Sequence, residues 1–520
     1  MVKKIKRENN AKTYFFLFLI VLVSMILRLY QPDWYNDRQF HPDERWIISN
    51  AVPPIKYWGD KPIGLQYGSL PIYILHIQRS IVFWINSHWQ IRDMNAATIG
   101  GARVLSGLVD TGTIIFIFFT AFLLFGSGVA LLAAFLLGFT VLHIHASHFY
   151  TVDTFVTFFI AGCVYFSARI YKYGNIKDYI LSGVFLGAAL ASKTAALPVI
   201  FVILTAHLLY FFSIKGNTKK AKEEKVQSWL NLGTAITVTL IAFFIFMPHA
   251  ILSFQQFMRD QNYQKSILVT GEGDVPYNRQ YLKTTPYLYY IKNLVLYTMG
   301  IPYGTVAFFA FAFYLILFFK KLKDGKLIDA GILLILSFAF PYFLIVGASF
   351  AKFNRYMLPF TPFLAILTAK FIYDFYNLSN RKIALALKYL VVLNVIFYGF
   401  AFMNVYFNSH TWIQASRWIY KNIPEINNSK TPPQRTTILN EMWGDDLPVY
   451  ADGKHIGIYN NLKWNLQEPD SPRKIDELSN ALSQSDYVMM ADKRAYGTYQ
   501  RIPERYPINY FYYKTMLNEP

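Results

Sequence analysis

The stretch that decides the fold is Thr13–Tyr30, TYFFLFLIVLVSMILRLY, followed shortly by His41-Pro42-Asp43-Glu44-Arg45. An apolar run of about 20 residues is long enough to cross a bilayer as a helix. Two adjacent carboxylates, an imidazole and a guanidinium then stand close to the end of that run. Charges at a membrane edge are costly unless they are paired, hydrated or used in function. The two stretches therefore predict a membrane protein with a functional polar segment beside its first span.

The composition extends this prediction to the whole chain. Of its 520 residues, 54% are hydrophobic and 16% are charged, whereas soluble proteins carry about 25% charged residues. Apolar runs near the length of a bilayer crossing recur along the sequence, separated by short polar breaks. We place eleven spans near residues 13–30, 103–124, 128–145, 154–171, 178–192, 197–214, 229–249, 302–320, 328–346, 358–376 and 384–405. The expected fold class is an α-helical multi-span membrane protein.

The position of the positive charge indicates its meaning. Lys and Arg total 50 against 31 Asp and Glu, a formal charge of +19. The basic residues cluster before the first span and in three breaks, at Lys3, Lys4, Lys6 and Arg7, at Lys215, Lys219, Lys220, Lys222 and Lys225, at Lys320, Lys321, Lys323 and Lys326, and at Arg381 and Lys382. Short basic loops between apolar runs are typical of the cytoplasmic side of membrane proteins. We expect a plasma (inner) membrane protein with a cytoplasmic N-terminus, an extracytoplasmic C-terminus and no nucleic-acid partner.

Three regions depart from the pattern of simple spans. Residues 31–102 form a first outer loop whose apolar pieces, such as Leu70–Ile85, predict interfacial helices along the membrane surface. Residues 250–301 form a second outer loop, with a polar part at Met258–Thr285. After residue 406 the composition turns polar, with short strand-like and amphipathic helical runs. We therefore divide the chain into a transmembrane domain, 1–406, and a small extracytoplasmic α/β domain, 407–520.

Asp43 and Glu44 are the first candidates for chemistry. An Asp-Glu pair most often lies in a solvated loop, but this pair stands close to a span and among aromatic residues. A carboxylate there is able to take a proton from a hydroxyl nucleophile as a general base, and its neighbour is able to bind or orient a divalent cation. We assign the base to Asp43.

Asp153 and three nearby histidines are the second group of candidates, in His143-x-His145-x-x-His148-x-Tyr150-x-x-Asp153. They fall between the third and fourth spans, on the same predicted side as Asp43. Polar residues clustered at a membrane interface explain the histidines as well as a metal site does. Asp153 begins an otherwise apolar span, where carboxylates are rare, which favours a function. The possible metal ligands are Glu44, Asp153 and His148.

Three cations form the third group: Arg103, Lys193 and Arg355. Lys193 and Arg355 lie between predicted spans on the outer side, against the positive-inside trend, and an anion held there would explain them. Arg103 lies at the start of the second span, where it either snorkels to the interface or binds a phosphate with its fork of donors. Together with the carboxylates, they predict transfer of a sugar from an anionic lipid carrier to a hydroxyl. A base opposed to a phosphate leaving group would invert the anomeric carbon.

These residues resemble the C-type membrane glycosyltransferases, above all the protein O-mannosyltransferase and aminoarabinose-transferase-like group. The resembling stretches are Asp43-Glu44, Arg103, Tyr150-x-x-Asp153, Gln66–Pro71, Arg355–Pro359 and Glu441–Pro448. The resemblance implies a polyprenyl-phosphate-linked sugar donor, possession of the C-type superfold and inverting transfer outside the cytoplasm. It also implies a divalent metal (Mg²⁺, Mn²⁺ or Zn²⁺) in some members. By resemblance Asp43 and Asp153 match the family's two acidic positions, and Arg103 matches an arginine that contacts donor phosphate.

Two other functions use the same residues differently. A transporter or flippase of lipid-linked glycans would line its pathway with such charges, but such proteins often carry repeated halves, which this sequence lacks. A non-catalytic assembly protein would tolerate replacement of the carboxylates. The sequence favours the transferase and leaves open the sugar, mannose-like or other, and the hydroxyl acceptor, which is a protein, a glycan or a lipid.

Overall fold

The computed structural model describes residues 10–34, 39–48, 59–91, 93–378, 381–442 and 444–518. The basic residues Lys3, Lys4, Lys6 and Arg7, and Trp443 of the Glu441–Pro448 stretch, lie outside these ranges. The α-helices of the described residues are α1 (Asn10–Leu29), α2 (Pro42–Trp46), α3 (Ser69–Trp89), α4 (Met94–Phe125), α5 (Ser127–Gly138), α6 (Val141–Ser147), α7 (Val152–Tyr173), α8 (Ile176–Ser192), α9 (Ile200–Ser213), α10 (Lys219–Phe246), α11 (His249–Leu252), α12 (Phe254–Gln264), α13 (Leu288–Asn293), α14 (Ile301–Lys323), α15 (Ala330–Gly347), α16 (Thr361–Leu378), α17 (Arg381–Phe407), α18 (Thr411–Asn422), α19 (Pro472–Gln484), α20 (Lys493–Tyr499) and α21 (Pro507–Asn518).

Shorter elements complete the chain. The 3₁₀ helices are Thr194–Val199, Pro276–Tyr281, Asn354–Met357 and Ile456–Ile458, and the π-helical turns are Lys265–Thr270 and Leu294–Met299. The strands are β1 (Ile426–Asn427), β2 (Gln434–Arg435), β3 (Thr437–Glu441), β4 (Asn460–Trp464) and β5 (Tyr487–Met489).

The predicted spans fall on these helices, which confirms the expected fold class. Among the described residues, eight helical segments are long and apolar enough to cross a membrane: Ala11–Leu29, Met94–Phe125, Val152–Tyr173, Thr194–Ser213, Lys219–Phe246, Ile301–Lys323, Ala330–Gly347 and Arg381–Asn422. Helices α5 and α6, bent by 56° at their junction, make a ninth if they count as one span. The predicted spans 178–192 and 358–376 fall on α8 and α16, which are helical but outside that set.

Polar residues extend two of the helices beyond the predicted limits. The Asp93 side chain accepts a hydrogen bond from the Ala96 N–H at 2.9 Å, so α4 begins nine residues before the predicted span at 103. Thr218 caps α10 in the same way, through the Ala221 N–H at 3.2 Å. Lysine and glutamate are good helix formers, and the cap satisfies orphan amide groups of the first turn. The lysine-rich break after Lys215 is therefore mostly helix, which corrects its reading as a loop.

The second predicted outer loop is also more helical than expected. Its polar part, Met258–Thr285, overlaps α12, a π-helical turn and a 3₁₀ helix. Helix α12 carries only four apolar or aromatic side chains among polar ones, in the sequence FQQFMRDQNYQ. Such a helix is stabilised by packing on one face, and a prediction from apolar runs does not detect it.

The chain forms two compact units by packing. The first unit comprises Met1–Thr270 and Thr285–Asn404, and the second comprises Gly271–Thr284 and Val405–Pro520. The first unit is a helical bundle in which small residues permit close contact. A Cβ atom on Gly187 of α8 would lie 2.7 Å from the Thr239 carbonyl oxygen of α10. Helices that pack inside a bilayer gain from such close approach of their backbones.

The second unit is built around a parallel sheet in the order β4-β3-β5. Leu439 of the central strand pairs with Leu462 on one side and with Val488 on the other. Its core contains Leu439, Trp464, Tyr499 and Tyr513, packed beneath α19, α20 and α21. Strands β1 and β2 form a separate antiparallel pair. Strands β3 and β5 and helices α18 and α19 lie in the region after residue 406 for which the sequence predicts short strand-like and amphipathic helical runs.

Candidate active site

Four charged side chains from distant parts of the sequence meet at one end of the helical bundle. Asp43 lies in α2, Asp153 in the first turn of α7, Lys193 directly after α8, and Arg355 in the 3₁₀ turn between α15 and α16. We call these four residues the open cluster, because three of their side chains are partly exposed: Lys193 by 28%, Arg355 by 24% and Asp43 by 13%.

The open cluster is a chain of alternating charges. An Arg355 guanidinium nitrogen lies 3.0 Å from the Asp43 carboxylate, and Arg355 Nε lies 3.7 Å from Asp153 Oδ2. Lys193 Nζ donates to Asp153 Oδ1 at 2.8 Å. Two carboxylates and two cations therefore neutralise one another within a single site. The structure brings together four of the predicted site residues that the sequence separates by up to 312 positions, from 43 to 355.

Local sequence fixes the position of Asp43. His41 is the N-cap of α2, and its Nδ1 accepts a hydrogen bond from the Asp43 N–H at 3.2 Å. Pro42 occupies the first turn, where a missing N–H costs nothing. The His41 ring packs against Phe149, with ring centres 4.9 Å apart. These contacts hold a helix of only five residues in place at the edge of the site.

Glu44, the neighbour of Asp43, makes a different set of contacts. Its carboxylate accepts from Arg103 Nε at 2.9 Å and from Arg103 Nη2 at 2.7 Å, and it also accepts from the Tyr150 N–H at 2.9 Å. Both Glu44 and Arg103 are buried. A bidentate carboxylate–guanidinium pair is strong and directional. These contacts thus connect α2 to α4 and to the turn before α7. Glu44, a predicted metal ligand, and Arg103, a predicted ligand of the donor phosphate, are bound to each other.

The histidines do not join the open cluster. His143 bonds Asp110 and Thr361, and both ring nitrogens of His148 lie near backbone carbonyl oxygens, of Ile144 at 2.7 Å and Tyr30 at 3.1 Å. The His145 ring packs on Phe149 and Phe402. His143 and His145 lie in α6 and His148 follows it directly, and because successive helical residues are rotated by about 100° the three rings point toward different neighbours.

A divalent metal does not fit the donor set at these positions. The predicted ligands Glu44, Asp153 and His148 are bound to Arg103, to Lys193 and to backbone carbonyls respectively. In the part of the chain that the structure describes, no three His, Cys, Asp or Glu side chains are grouped to hold a metal ion. The structure therefore does not bring these three residues together as a metal site, because each has a separate partner.

Three aromatic residues that sequence reasoning did not assign line the open cluster. Tyr67 lies close enough to Asp43 to help lower the pKa of that carboxylate, and the Tyr67 ring packs on Trp46 at 5.1 Å. Lys193 Nζ lies 4.2 Å from the centre of the Tyr356 ring, and the Arg355 guanidinium lies 4.2 Å from that of Phe353. Cations held over aromatic faces are stabilised by the ring quadrupole. Tyr67 and Tyr356 lie in the stretches Gln66–Pro71 and Arg355–Pro359, and the resemblance of these stretches to the family is the sequence signal that points to them.

Gly68 explains why the Gln66–Pro71 stretch lies so close to Lys193. A Cβ atom at Gly68 would lie 2.0 Å from the Ala191 carbonyl oxygen, and the Gly68 N–H donates to the Ser192 carbonyl at 3.2 Å. Only glycine permits this approach between the start of α3 and the end of α8. The approach brings Tyr67 to the same end of the bundle as Lys193.

The charges of the open cluster set each other's protonation. Burial by itself would raise the pKa of Asp43, but the cations Arg355 and Lys193 outweigh burial and hold that pKa below its ordinary value. Burial lowers the pKa of His41, which favours a neutral imidazole. Burial and the adjacent Asp43 raise the pKa of the Tyr67 hydroxyl, so Tyr67 stays protonated beside Asp43. Asp43 is thus an ionised carboxylate at neutral pH.

A second charged group lies deeper in the bundle. Arg28 Nε donates to Asp110 Oδ2 at 2.7 Å, while His143 Nδ1 lies 2.7 Å from Asp110 Oδ1 and His143 Nε2 lies 2.8 Å from the Thr361 hydroxyl. Arg28 also donates to the Gly138 carbonyl at 2.8 Å. We call Arg28, Asp110, His143 and Thr361 the sealed cluster, because all four residues are buried. Its contacts join α1, α4, α6 and α16.

Comparison with known proteins supports the class of this fold. Residues 89–252 match the family described as dolichyl-phosphate-mannose-protein mannosyltransferase. No curated protein matches the sequence of the chain significantly. The oligosaccharyltransferase of Archaeoglobus fulgidus, solved with a tethered acceptor peptide containing the NVT sequon, has a similar fold, with a TM-score of 0.50 and 14% identity. That match covers 84% of this chain, which spans 62% of the archaeal chain.

Two further solved structures are less similar. ArnT from Cupriavidus metallidurans, bound to undecaprenyl phosphate, has a TM-score of 0.48 and 11% identity, covering 92% of this chain and 90% of that one. The A. fulgidus oligosaccharyltransferase in complex with zinc and sulfate has a TM-score of 0.47 and 14% identity, covering 82% and 60%. The family match and the fold together confirm the resemblance to C-type membrane glycosyltransferases. The prediction of a multi-span membrane protein is likewise confirmed.

Proposed function

We propose that this protein is an inverting glycosyltransferase that takes a sugar from a polyprenyl-phosphate carrier and attaches it to a hydroxyl acceptor. The observation that carries the proposal is the open cluster, in which a carboxylate, Asp43, stands beside two cations, Arg355 and Lys193. The matched family is described by a lipid-phosphate mannose donor, which supports a polyprenyl phosphate and a mannose-like sugar. The acceptor is a protein, a glycan or a lipid hydroxyl.

The groups of the open cluster suit one displacement. Asp43 accepts the proton of the acceptor hydroxyl while that oxygen forms a bond to the anomeric carbon of the sugar. The bond between the anomeric carbon and the phosphate oxygen breaks, and its electron pair leaves with the lipid phosphate. Arg355 and Lys193 stabilise the negative charge that develops on this leaving group. Attack from the side opposite the phosphate inverts the anomeric carbon.

Asp153 and Glu44 support this reaction without touching the reacting atoms. Asp153 accepts from Lys193 at 2.8 Å, which holds the ammonium group toward Arg355. Glu44 holds Arg103 and the Tyr150 N–H, which fixes the helix that carries Asp43. We therefore assign a positioning role to both residues, in place of the predicted roles of Glu44 in catalysis and of Arg103 in donor binding. No step in this reaction is routed through a metal ion, because the predicted ligands are bound elsewhere.

We also propose the membrane orientation. The basic ends of the helices, such as Lys320, Lys321 and Lys323 at the end of α14, lie in the cytoplasm, following the positive-inside trend. The ends that carry the open cluster then face the outside of the plasma membrane. The domain of residues 407–520 is extracytoplasmic in this arrangement.

The test is transfer by the purified full chain in lipid nanodiscs, with polyprenyl-phosphate mannose as donor and cell-envelope extract as the source of acceptor. Replacing a general base reduces rate by about 10²–10⁴-fold, so Asp43→Asn is expected to lose transfer while remaining folded. Glu477→Gln, an exposed carboxylate in α19, is the matched control and keeps full activity. Full activity of Asp43→Asn would refute the base. Movement of the lipid across the membrane of vesicles that contain the protein, without any glycoside product, would support a transporter instead.

A further inference from the structure

Both cations of the proposed donor site already have anionic partners. Arg355 is bound to Asp43 at 3.0 Å, and Lys193 is bound to Asp153 at 2.8 Å. A lipid phosphate that enters this site must therefore compete with a carboxylate for at least one cation. The two ion pairs differ in ways that decide which of them yields.

The carboxylate of the Lys193–Asp153 pair is the more firmly held of the two carboxylates. Asp153 is 2% exposed and lies in the first turn of α7, where the helix dipole favours a negative charge. Lys193 is fixed in addition over the Tyr356 ring at 4.2 Å. A phosphate would gain little by displacing a carboxylate that has lost most of its contact with water.

The Arg355–Asp43 pair is the more exchangeable one. Arg355 is 24% and Asp43 is 13% exposed, so water reaches both partners. Arg355 retains the Phe353 ring at 4.2 Å and the Tyr356 ring at 5.4 Å when Asp43 leaves. A guanidinium binds phosphate with two parallel hydrogen bonds, which a single carboxylate contact does not match. The exchange therefore replaces a weaker contact of Arg355 with a stronger one.

We propose that the donor phosphate displaces Asp43 from Arg355 and that this displacement frees Asp43 to act as the base. The inference deepens the proposed function and rests on it. In the ligand-free protein Asp43 is held by Arg355 and is a poor proton acceptor. Once the phosphate has taken Arg355, the Asp43 carboxylate is free to bind the acceptor hydroxyl. The donor consequently binds before the acceptor is activated.

Binding of undecaprenyl phosphate without a sugar tests the exchange separately from transfer. The purified full chain in nanodiscs is compared with Asp43→Asn, Asp43→Ala and the control Glu477→Gln. If Asp43 competes with phosphate for Arg355, both Asp43 variants bind undecaprenyl phosphate more tightly, by about fivefold for a partly exposed ion pair. The alanine variant shows that the gain does not come from new hydrogen bonds of the asparagine amide. The control binds like the wild type.

A double-variant cycle assigns the gain to Arg355. In the Arg355→Ala background, adding Asp43→Ala is expected to leave affinity for undecaprenyl phosphate unchanged, because the competed cation is gone. Unchanged or weaker binding by both single Asp43 variants, with unfolding midpoints equal to wild type, overturns the exchange. A gain that persists without Arg355 overturns it as well. Absence of sugar transfer by the wild type would refute the proposed function and leave these binding results to decide the exchange.

Discussion

The open and sealed clusters contain similar residue types but have different roles in the protein. Each contains an arginine bound to an aspartate, at 3.0 Å in Arg355–Asp43 and at 2.7 Å in Arg28–Asp110. The sealed pair is fully removed from solvent, and the remaining acceptor and donor groups are bonded to His143, Gly138 and Ser24. The open pair keeps partial contact with water and has fewer partners. The difference teaches that burial and saturation of hydrogen bonds, rather than residue type, separate a structural charge from an exchangeable one.

The largest effect on stability is expected from breaking the sealed cluster. Arg28→Met leaves the Asp110 carboxylate buried without its guanidinium partner, and such a loss typically costs about 3–5 kcal/mol of folding stability. The matched change in the open cluster, Arg355→Met, costs about 1 kcal/mol or less because its ion pair is partly solvated. Thermal unfolding of both variants in the same nanodiscs measures the contrast. Equal losses would contradict the division into sealed and open clusters.

An intermediate effect is expected from Glu44, which is buried like the sealed cluster but lies beside the open one. Glu44→Gln removes the charge from a bidentate pair, and hydrogen bonds to charged groups are worth about 1.5–3 kcal/mol each. The variant is expected to lower both the unfolding midpoint and kcat, since α2 loses its anchor, while affinity for undecaprenyl phosphate stays near wild type. A selective loss of phosphate affinity would return Arg103 to the donor site, as the resemblance implied.

Glu441 of the second unit extends the comparison to a buried carboxylate whose partners are hydroxyl groups instead of a guanidinium. Tyr512 and Tyr513 donate to it at 3.0 and 2.9 Å. Burial raises the pKa of Glu441 from 4.5 to about 7, against the effect of these two hydrogen bonds. The folded state thus binds this proton more tightly than the unfolded state, so stability falls as pH rises from about 4.5 to about 7. Glu441→Gln should remove that dependence, which amounts to about 3 kcal/mol across the window.

Unfolding midpoints of the full chain at pH 5 and pH 8 measure this effect, with Glu477→Gln as the exposed control. The difference between the two pH values is expected to shrink in Glu441→Gln and to remain in the control. An unchanged difference would mean that other groups set the pH dependence of the second unit.

The smallest effect is expected from Tyr67→Phe. The Tyr67 hydroxyl helps to lower the pKa of Asp43, so its removal raises that pKa. Since the reaction needs ionised Asp43, the acid limb of the kcat/KM profile moves to higher pH, while the rate at neutral pH, where Asp43 stays ionised, changes little. Initial rates across the acid range check the shift. A uniform loss at every pH would indicate damage to packing instead.

Much of the fold and part of the candidate site could be predicted from the chain alone. Long apolar runs predict helices because each run must satisfy its own backbone hydrogen bonds in a membrane. The residues Asp43, Asp153, Lys193 and Arg355 stood out because charges are rare beside such runs. Tyr67 was not predicted, because a tyrosine at a membrane interface is common. Helix α12 was missed because its few apolar side chains do not form a run.

The amino-acid sequence by itself determined the membrane class, the positions of the helices and the presence of charge at their ends. Only the tertiary structure decided which carboxylate meets which cation: Glu44 with Arg103, and its neighbour Asp43 with Arg355. Adjacent residues on a helix point in different directions, about 100° apart, so their partners depend on which helices pack against each face. Burial follows from the same packing, and it separates the charge that holds the fold from the charge that a substrate is able to displace.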